Sequence, residues 1–161
     1  MELAATTATE TLEVRHQYKA TPEQVFAAWA NPEALSQWFG PHSHKCSVEQ
    51  WDMREGGEYR MRMIPVAEDT ECGGDSSQDS VCAGQFVQII ESRTIAMTFS
   101  WIENGSDIGE TLLTVEFFEK ENGTELVLTH ERLPDPEVAE MHKGGWMGTV
   151  ECLEQYLDQH L

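Results

Sequence analysis

Trp38-Phe39-Gly40-Pro41-His42-Ser43-His44-Lys45-Cys46 is the stretch on which the fold turns. Before it the apolar residues recur at helical spacing, and after it they recur at every second position. His42, His44 and Cys46 alternate along it. On a β-strand that spacing sets all three on one face, with neighbours roughly 7 Å apart. The stretch therefore reads either as a row of metal ligands or as a boundary. As a boundary, Gly40-Pro41 ends a helix, and His44 and Cys46 open a strand whose inner face walls a core or a cavity. Zinc takes four ligands in a structural site, or three and a water in a catalytic one. The stretch offers three at most, with His130 as a distant fourth, so the boundary reading is preferred and no metal or cofactor is expected. A Cys46–His44 nucleophile–base pair is disfavoured too, because residues two apart on a strand are far for a hydrogen bond and no third group orients the base.

On the N-terminal side, Leu12-Glu13-Val14-Arg15-His16-Gln17-Tyr18 alternates and reads as a first strand. Thr21-Pro22-Glu23-Gln24 follows. Thr21 suits an N-cap, Pro22 the first helical position, and Gln24 completes a capping box. That helix carries Val25, Phe26 and Trp29. Asn31-Pro32-Glu33 starts a second short helix by the same logic, carrying Leu35, Trp38 and Phe39.

On the C-terminal side, His44, Cys46 and Val48 share a strand face, and Glu55-Gly56-Gly57 turns the chain. Tyr59, Met61 and Met63 face away from Arg60 and Arg62. Ala67–Ser80 is a polar Gly/Ser/Asp run that reads as a solvated hairpin tip. A strand is expected over Gln85–Glu91, including Phe86, with a turn at Ser92-Arg93. Ile95, Met97, Phe99 and Trp101 then form an apolar face, and Glu103–Asp107 a hairpin loop. Leu113, Val115 and Phe117 make the next face, Glu121-Asn122-Gly123 a tight turn, and Leu126, Leu128 and His130 the last strand's inner side. Asp135-Pro136-Glu137 opens a third helix, in which Trp146, Val150, Leu153 and Leu157 recur on one face.

The order is thus one strand, two short helices, about six antiparallel strands and one long helix. This is an α+β arrangement in which a curved sheet of six to seven strands grips the terminal helix. The space between sheet and helix is a natural site for a small molecule.

The chain of 161 residues, 40% hydrophobic, is expected to form one domain over 11–161 after a loose Ala/Thr-rich start over 1–10. Its 29 acids and 10 bases give a formal charge of −19. That field repels phosphate backbones and anionic membranes, so neither nucleic acid nor a membrane is an expected partner. No basic region precedes an apolar run at the start, and no stretch approaches ~18 apolar residues, so a cytoplasmic location and a monomer or weak dimer are expected. Cys46, Cys72, Cys82 and Cys152 then read as reduced thiols, although Cys72 and Cys82 bracket one loop and could pair under oxidation.

Three pieces of the chain, in this order and spacing, resemble the START-like SRPBCC superfamily with its helix-grip fold. They are Thr21–Trp29 leading to Trp38-Phe39-Gly40-Pro41; Asp52-Met53-Arg54-Glu55-Gly56-Gly57-Glu58-Tyr59; and Leu128-Thr129-His130-Glu131 with Gly145-Trp146, Val150 and Leu153. Within the superfamily the likeness is strongest to the branch named after the C-terminal domain of the heat-shock-protein-90 ATPase activator, and it spans Thr11 to His160. It implies a small apolar or amphipathic ligand held between the sheet and the last helix. A co-chaperone-like protein interaction is the alternative, and a cyclase- or hydrolase-like reaction at a pocket histidine the second. The Ala67–Ser80 loop is longer and more polar than the family's hairpin. Candidate cavity residues are Trp38, His44, Cys46, Met61, Met63 and Phe86, together with Met97, Phe99, Trp101, His130, Trp146 and Val150. Of these, His130 is the polar group placed to orient a ligand.

Overall fold

In the computed structural model, which describes residues 9–40, 44–65, 79–103 and 108–160, the chain runs through seven strands and three helices. In order these are β1 (Glu10–Tyr18), α1 (Pro22–Ala30), α2 (Pro32–Trp38), β2 (His44–Trp51), β3 (Glu58–Pro65), β4 (Ser80–Ile90), β5 (Thr94–Glu103), β6 (Thr111–Lys120), β7 (Gly123–Leu133) and α3 (Pro136–His160).

The helix starts follow their local chemistry. Thr21 caps α1 by accepting from the Gln24 amide, and the Gln24 side chain returns a bond to the Thr21 amide. Asn31 caps α2 through the Glu33 amide, and Asp135 caps α3 through the Val138 amide at 2.8 Å. Each such cap is worth ~1 kcal/mol. Phe39 closes α2, and Gly40 at φ 103° carries the chain out in a conformation that suits a residue without Cβ.

All neighbouring strands are antiparallel, in the order β1-β7-β6-β5-β4-β3-β2. The first two strands therefore lie at opposite edges, and α1 and α2 carry the chain from one edge to the other. α3 packs on β1, β7 and α2. Register shifts at Glu10/Leu12, Val48/Gln50, Val81/Cys82 and Phe86/Gln88 mark bulges, which bend a strand and raise its twist. The result is the curved sheet of a helix-grip fold.

β4 begins at Ser80, five residues before the strand expected from the sequence. Its two bulges explain the difference, because each extra residue breaks strict alternation and Val81 and Cys82 are both buried. Most of the Ala67–Ser80 loop, with Cys72, lies outside the described residues, as do His42 and most of 1–10.

The turn between β2 and β3 is drawn tight around Asp52. The Arg54 guanidinium holds both carboxylate oxygens of Asp52 at 3.0 Å, and the Gly57 amide donates to the Arg54 carbonyl at 2.8 Å. A methyl group at Gly57 would run into the backbone oxygen of Asp52, whereas one at Gly144 in α3 meets nothing within 4 Å. Gly57→Ala is expected to lower unfolding stability by ~2 kcal/mol through backbone displacement. Gly144→Ala is expected to raise it by up to ~1 kcal/mol through helix propensity. Urea unfolding midpoints of the two variants check both signs.

Candidate functional site

The inner face of the sheet has two regions. Beneath α3, the side chains of β5, β6 and β7 meet the helix through a buried polar relay. Trp146 of α3 donates its indole N–H to Nδ1 of His130 at 3.1 Å. Thr111 of β6 donates its hydroxyl to the Phe99 carbonyl at 2.7 Å, which leaves the hydroxyl oxygen to accept from His130 Nε2–H, also at 2.7 Å. The donor at each step fixes the imidazole as the neutral Nε2–H tautomer. His130 is fully buried, and burial, with His142 adding to it, pushes its pKa down to about 3.

A second histidine stands beside it. His142 of α3 lies edge-on to His130 with ring centroids 5.6 Å apart. It donates from Nδ1 to the Val138 carbonyl at 2.9 Å and accepts the Trp101 indole N–H on Nε2 at 3.0 Å. Burial lowers its pKa as well. Both rings have both nitrogens committed. Neither has one left for a substrate or a metal, and among the described residues no group of three or more His, Cys, Asp or Glu is placed to hold an ion. Val150, about two turns beyond His142, uses its carbonyl to accept the Tyr18 phenol at 2.9 Å, tying β1 to α3. Desolvation raises that phenol's pKa.

The other region lies on β2 to β5, with β5 shared between the two, since its Phe99 and Trp101 meet α3 while its Met97 stands opposite Phe86 of β4. Here Cys46 stands opposite Met63, and Met61 lies between Val48 and Cys82. Met97 is opposite Phe86 on β4 and Leu113 on β6. Met61, Met63, Met97, Cys46 and Cys82 are all buried. Burial raises both thiols, that of Cys46 to about 12, so they behave as apolar groups rather than as nucleophiles. Phe86 packs edge-on against Trp51 at 5.0 Å. Tyr59, opposite Gly84, reaches across β4 to donate to the Thr98 carbonyl at 2.6 Å.

Aromatic rings from the short helices join the two regions. Trp29 meets Trp38 at 4.9 Å, Phe39 meets Trp146 at 5.7 Å, and Trp146 meets Phe99 at 5.8 Å. Trp38 donates its indole N–H to the Ala28 carbonyl at 3.1 Å. The named cavity candidates thus divide between the two regions. His44 is placed in β2 opposite Pro65, with its side chain outside the described residues. Trp101 remains partly exposed at the end of β5.

Sequence reasoning overlooked three of these residues. His142 lies four positions before Trp146 and extends the stripe of Trp146, Val150, Leu153 and Leu157, a spacing that could have marked it. Thr111 and Tyr18 give no such signal, because their partners come from distant strands. A separate groove of about 200 Å³ lies at the rim, lined by Tyr18, Lys19, Gln24, Glu154 and Asp158.

The sheet, the gripped helix and the apolar inner face define a START-like domain. Solved structures agree with it. A protein of Chromobacterium violaceum is 24% identical with TM-score 0.79, over 91% of this chain and 96% of its own. The AHSA1 protein of Silicibacter pomeroyi is 21% identical with TM-score 0.77, over 94% and 100%. A protein of unknown function from Staphylococcus aureus is 20% identical with TM-score 0.72, over 96% and 97%. No curated protein matches the chain. The family model described as "Activator of Hsp90 ATPase homolog 1-like protein" matches residues 19–158, and the chain belongs to that family. Among the described residues no helix is long and apolar enough to cross a membrane.

The relay sets a pH dependence. An unfolded histidine titrates near ~6.5. The folded values of His130 and His142 lie below theirs, so the unfolded chain binds more protons as pH falls through this window. Stability is therefore complete above pH ~6.5 and declines towards acid, by up to ~1.4 kcal/mol per pH unit for each histidine. In His130→Gln, whose amide can replace both hydrogen bonds without titrating, the slope between pH ~6.5 and ~4 is expected to become shallower, by up to ~1.4 kcal/mol per pH unit. Urea midpoints across that range measure it.

Proposed function

We propose that the protein binds a small, uncharged apolar or amphipathic molecule on the inner face of the sheet, over β2 to β5 and under the short helices. The observation that carries this reading is the cluster of Met61, Met63 and Met97 with Cys46 and Cys82, buried together on the inner face of β2 to β5. Methionine side chains are unbranched and polarizable, and they rearrange around guests of different shape more readily than branched residues do. The saturated histidines favour the same reading, since they give the interior polar groups without any charge to offer an anion or an ion. The START-like fold is consistent with it.

With the methionines labelled as ¹³C-methyl, titration with a panel of monoacylglycerols, sterols, neutral flavonoids and uncharged aromatic polyketides tests the proposal. For a binder, the Met61, Met63 and Met97 methyl signals shift together and saturably, while those of exposed Met141 and Met147 stay in place. Met→Leu at the three inner positions conserves volume, so it is expected to change stability by less than ~1.5 kcal/mol per site. It is expected to weaken binding about tenfold. Failure of every panel member to move these methyls overturns the reading.

A second reading rests on the family description and the charge. Arg60 and Arg62 on the outward side of β3 are tied to Glu49 at 2.8 and 2.7 Å, which leaves the acidic excess of the chain to dominate the surface field. Such a surface suits a partner with a basic face, as in co-chaperone contact with a heat-shock-protein-90. Stimulation of the cognate chaperone's ATPase, declining as salt is raised, is the expected result. An unchanged ATPase rate at large excess of this protein excludes it.

A further inference from the structure

The chain has five tryptophans, and the partners of their indole N–H groups differ in one respect. Trp38 donates to the Ala28 carbonyl, Trp51 to the Trp29 carbonyl, Trp101 to His142 and Trp146 to His130. Trp29, on α1, is wholly buried, and its N–H has no hydrogen-bond partner among the described residues. A buried donor left unmatched is destabilising and rare in folded proteins. Its known ring neighbours are aromatic. Trp38 packs against it at an interplanar angle of 69° and Phe39 at 86°. An aromatic face accepts an N–H only weakly.

Water is a poor candidate for the missing acceptor. A buried water needs two to four polar partners, and two polar groups of this aromatic cluster are already engaged in hydrogen bonds. The Trp29 carbonyl accepts from Trp51 at 2.9 Å, and the Trp38 N–H is bound to the Ala28 carbonyl. A molecule with an apolar body and one acceptor atom satisfies the donor without bringing further unmatched groups. The formal charge of −19 and the neutral state of His130 and His142 disfavour an anionic acceptor, because no buried cation would balance it.

Resting on the binding reading above, we infer that the Trp29 indole N–H is a ligand contact. It selects neutral apolar molecules that carry a carbonyl, ether or hydroxyl oxygen over hydrocarbons of the same shape. Trp29 thereby sets specificity, while the methionine face supplies adaptable contact.

The test uses two probes of matched shape, 2-acetylnaphthalene and 2-isopropenylnaphthalene, which differ in an oxygen replacing a methylene group. Calorimetric titration of the wild type is expected to give about tenfold tighter binding of the ketone. In Trp29→Phe that ratio is expected to fall to about one, with the alkene's affinity within about twofold of wild type. A second readout needs no variant to fold. In the wild type, one indole ¹⁵N–¹H signal moves downfield with the ketone and stays in place with the alkene, the other four being unchanged by either. Equal binding of the two probes, with no indole signal specific to the ketone, overturns the role of Trp29 and leaves the binding reading intact. Absence of binding by either probe counts against the binding reading, and this inference falls with it.

Discussion

From the Trp146 indole, hydrogen bonds run through His130 and Thr111 to the Phe99 carbonyl, joining α3 to β7, β6 and β5 in one buried line. The line illustrates the constraint that governs the interior. A seven-stranded sheet that buries one face removes several polar groups from water, and each needs a partner beneath the surface. The phenols of Tyr18 and Tyr59 and the hydroxyl of Thr124 obey the same rule, each reaching a backbone carbonyl on a distant element. Such bonds add about 1 kcal/mol apiece when made and cost more when broken, so they fix where the helix sits on the sheet.

This constraint also divides the inner face into two chemically distinct regions. Under α3, polar groups are matched among themselves, which holds the histidines neutral and removes them from acid–base work near pH 7. Over β2 to β5 the surface is built from sulfur and aromatic carbon, and burial keeps its thiols protonated. Under the binding proposed above, a surface of this kind discriminates by shape and by a few placed donors rather than by charge. Solved structures 20–24% identical to this chain share its fold, as expected where an apolar face tolerates repacking at conserved volume.

Local rules made much of the fold legible. The capping box at Thr21, the Asn31 and Asp135 caps and the Gly40 exit act within four residues, so the sequence contains every participant. The alternation at Tyr59, Met61 and Met63 and at Leu126, Leu128 and His130 placed those residues inward for the same reason. Alternation failed at β4, where bulges shift the phase and hide the strand's first five residues. The metal-like row at His42, His44 and Cys46 shows the limit of spacing as evidence. His42 and the side chain of His44 lie outside the described residues, and His130, the possible fourth member, is bound to Trp146 and Thr111.

The sequence by itself determined the order of elements, the inward face of most strands and the acidity of the surface, because these follow from neighbours along the chain and from composition. The tertiary structure decided which polar residues are used up. Thr111 lies 19 residues from His130, Tyr18 lies 132 from Val150, and Trp101 lies 41 from His142. Nothing in the local spacing of these pairs announces them, since the sheet's pairing and the seat of α3 bring them together. The same long-range packing left Trp29, alone of five tryptophans, without an acceptor for its indole N–H among the described residues.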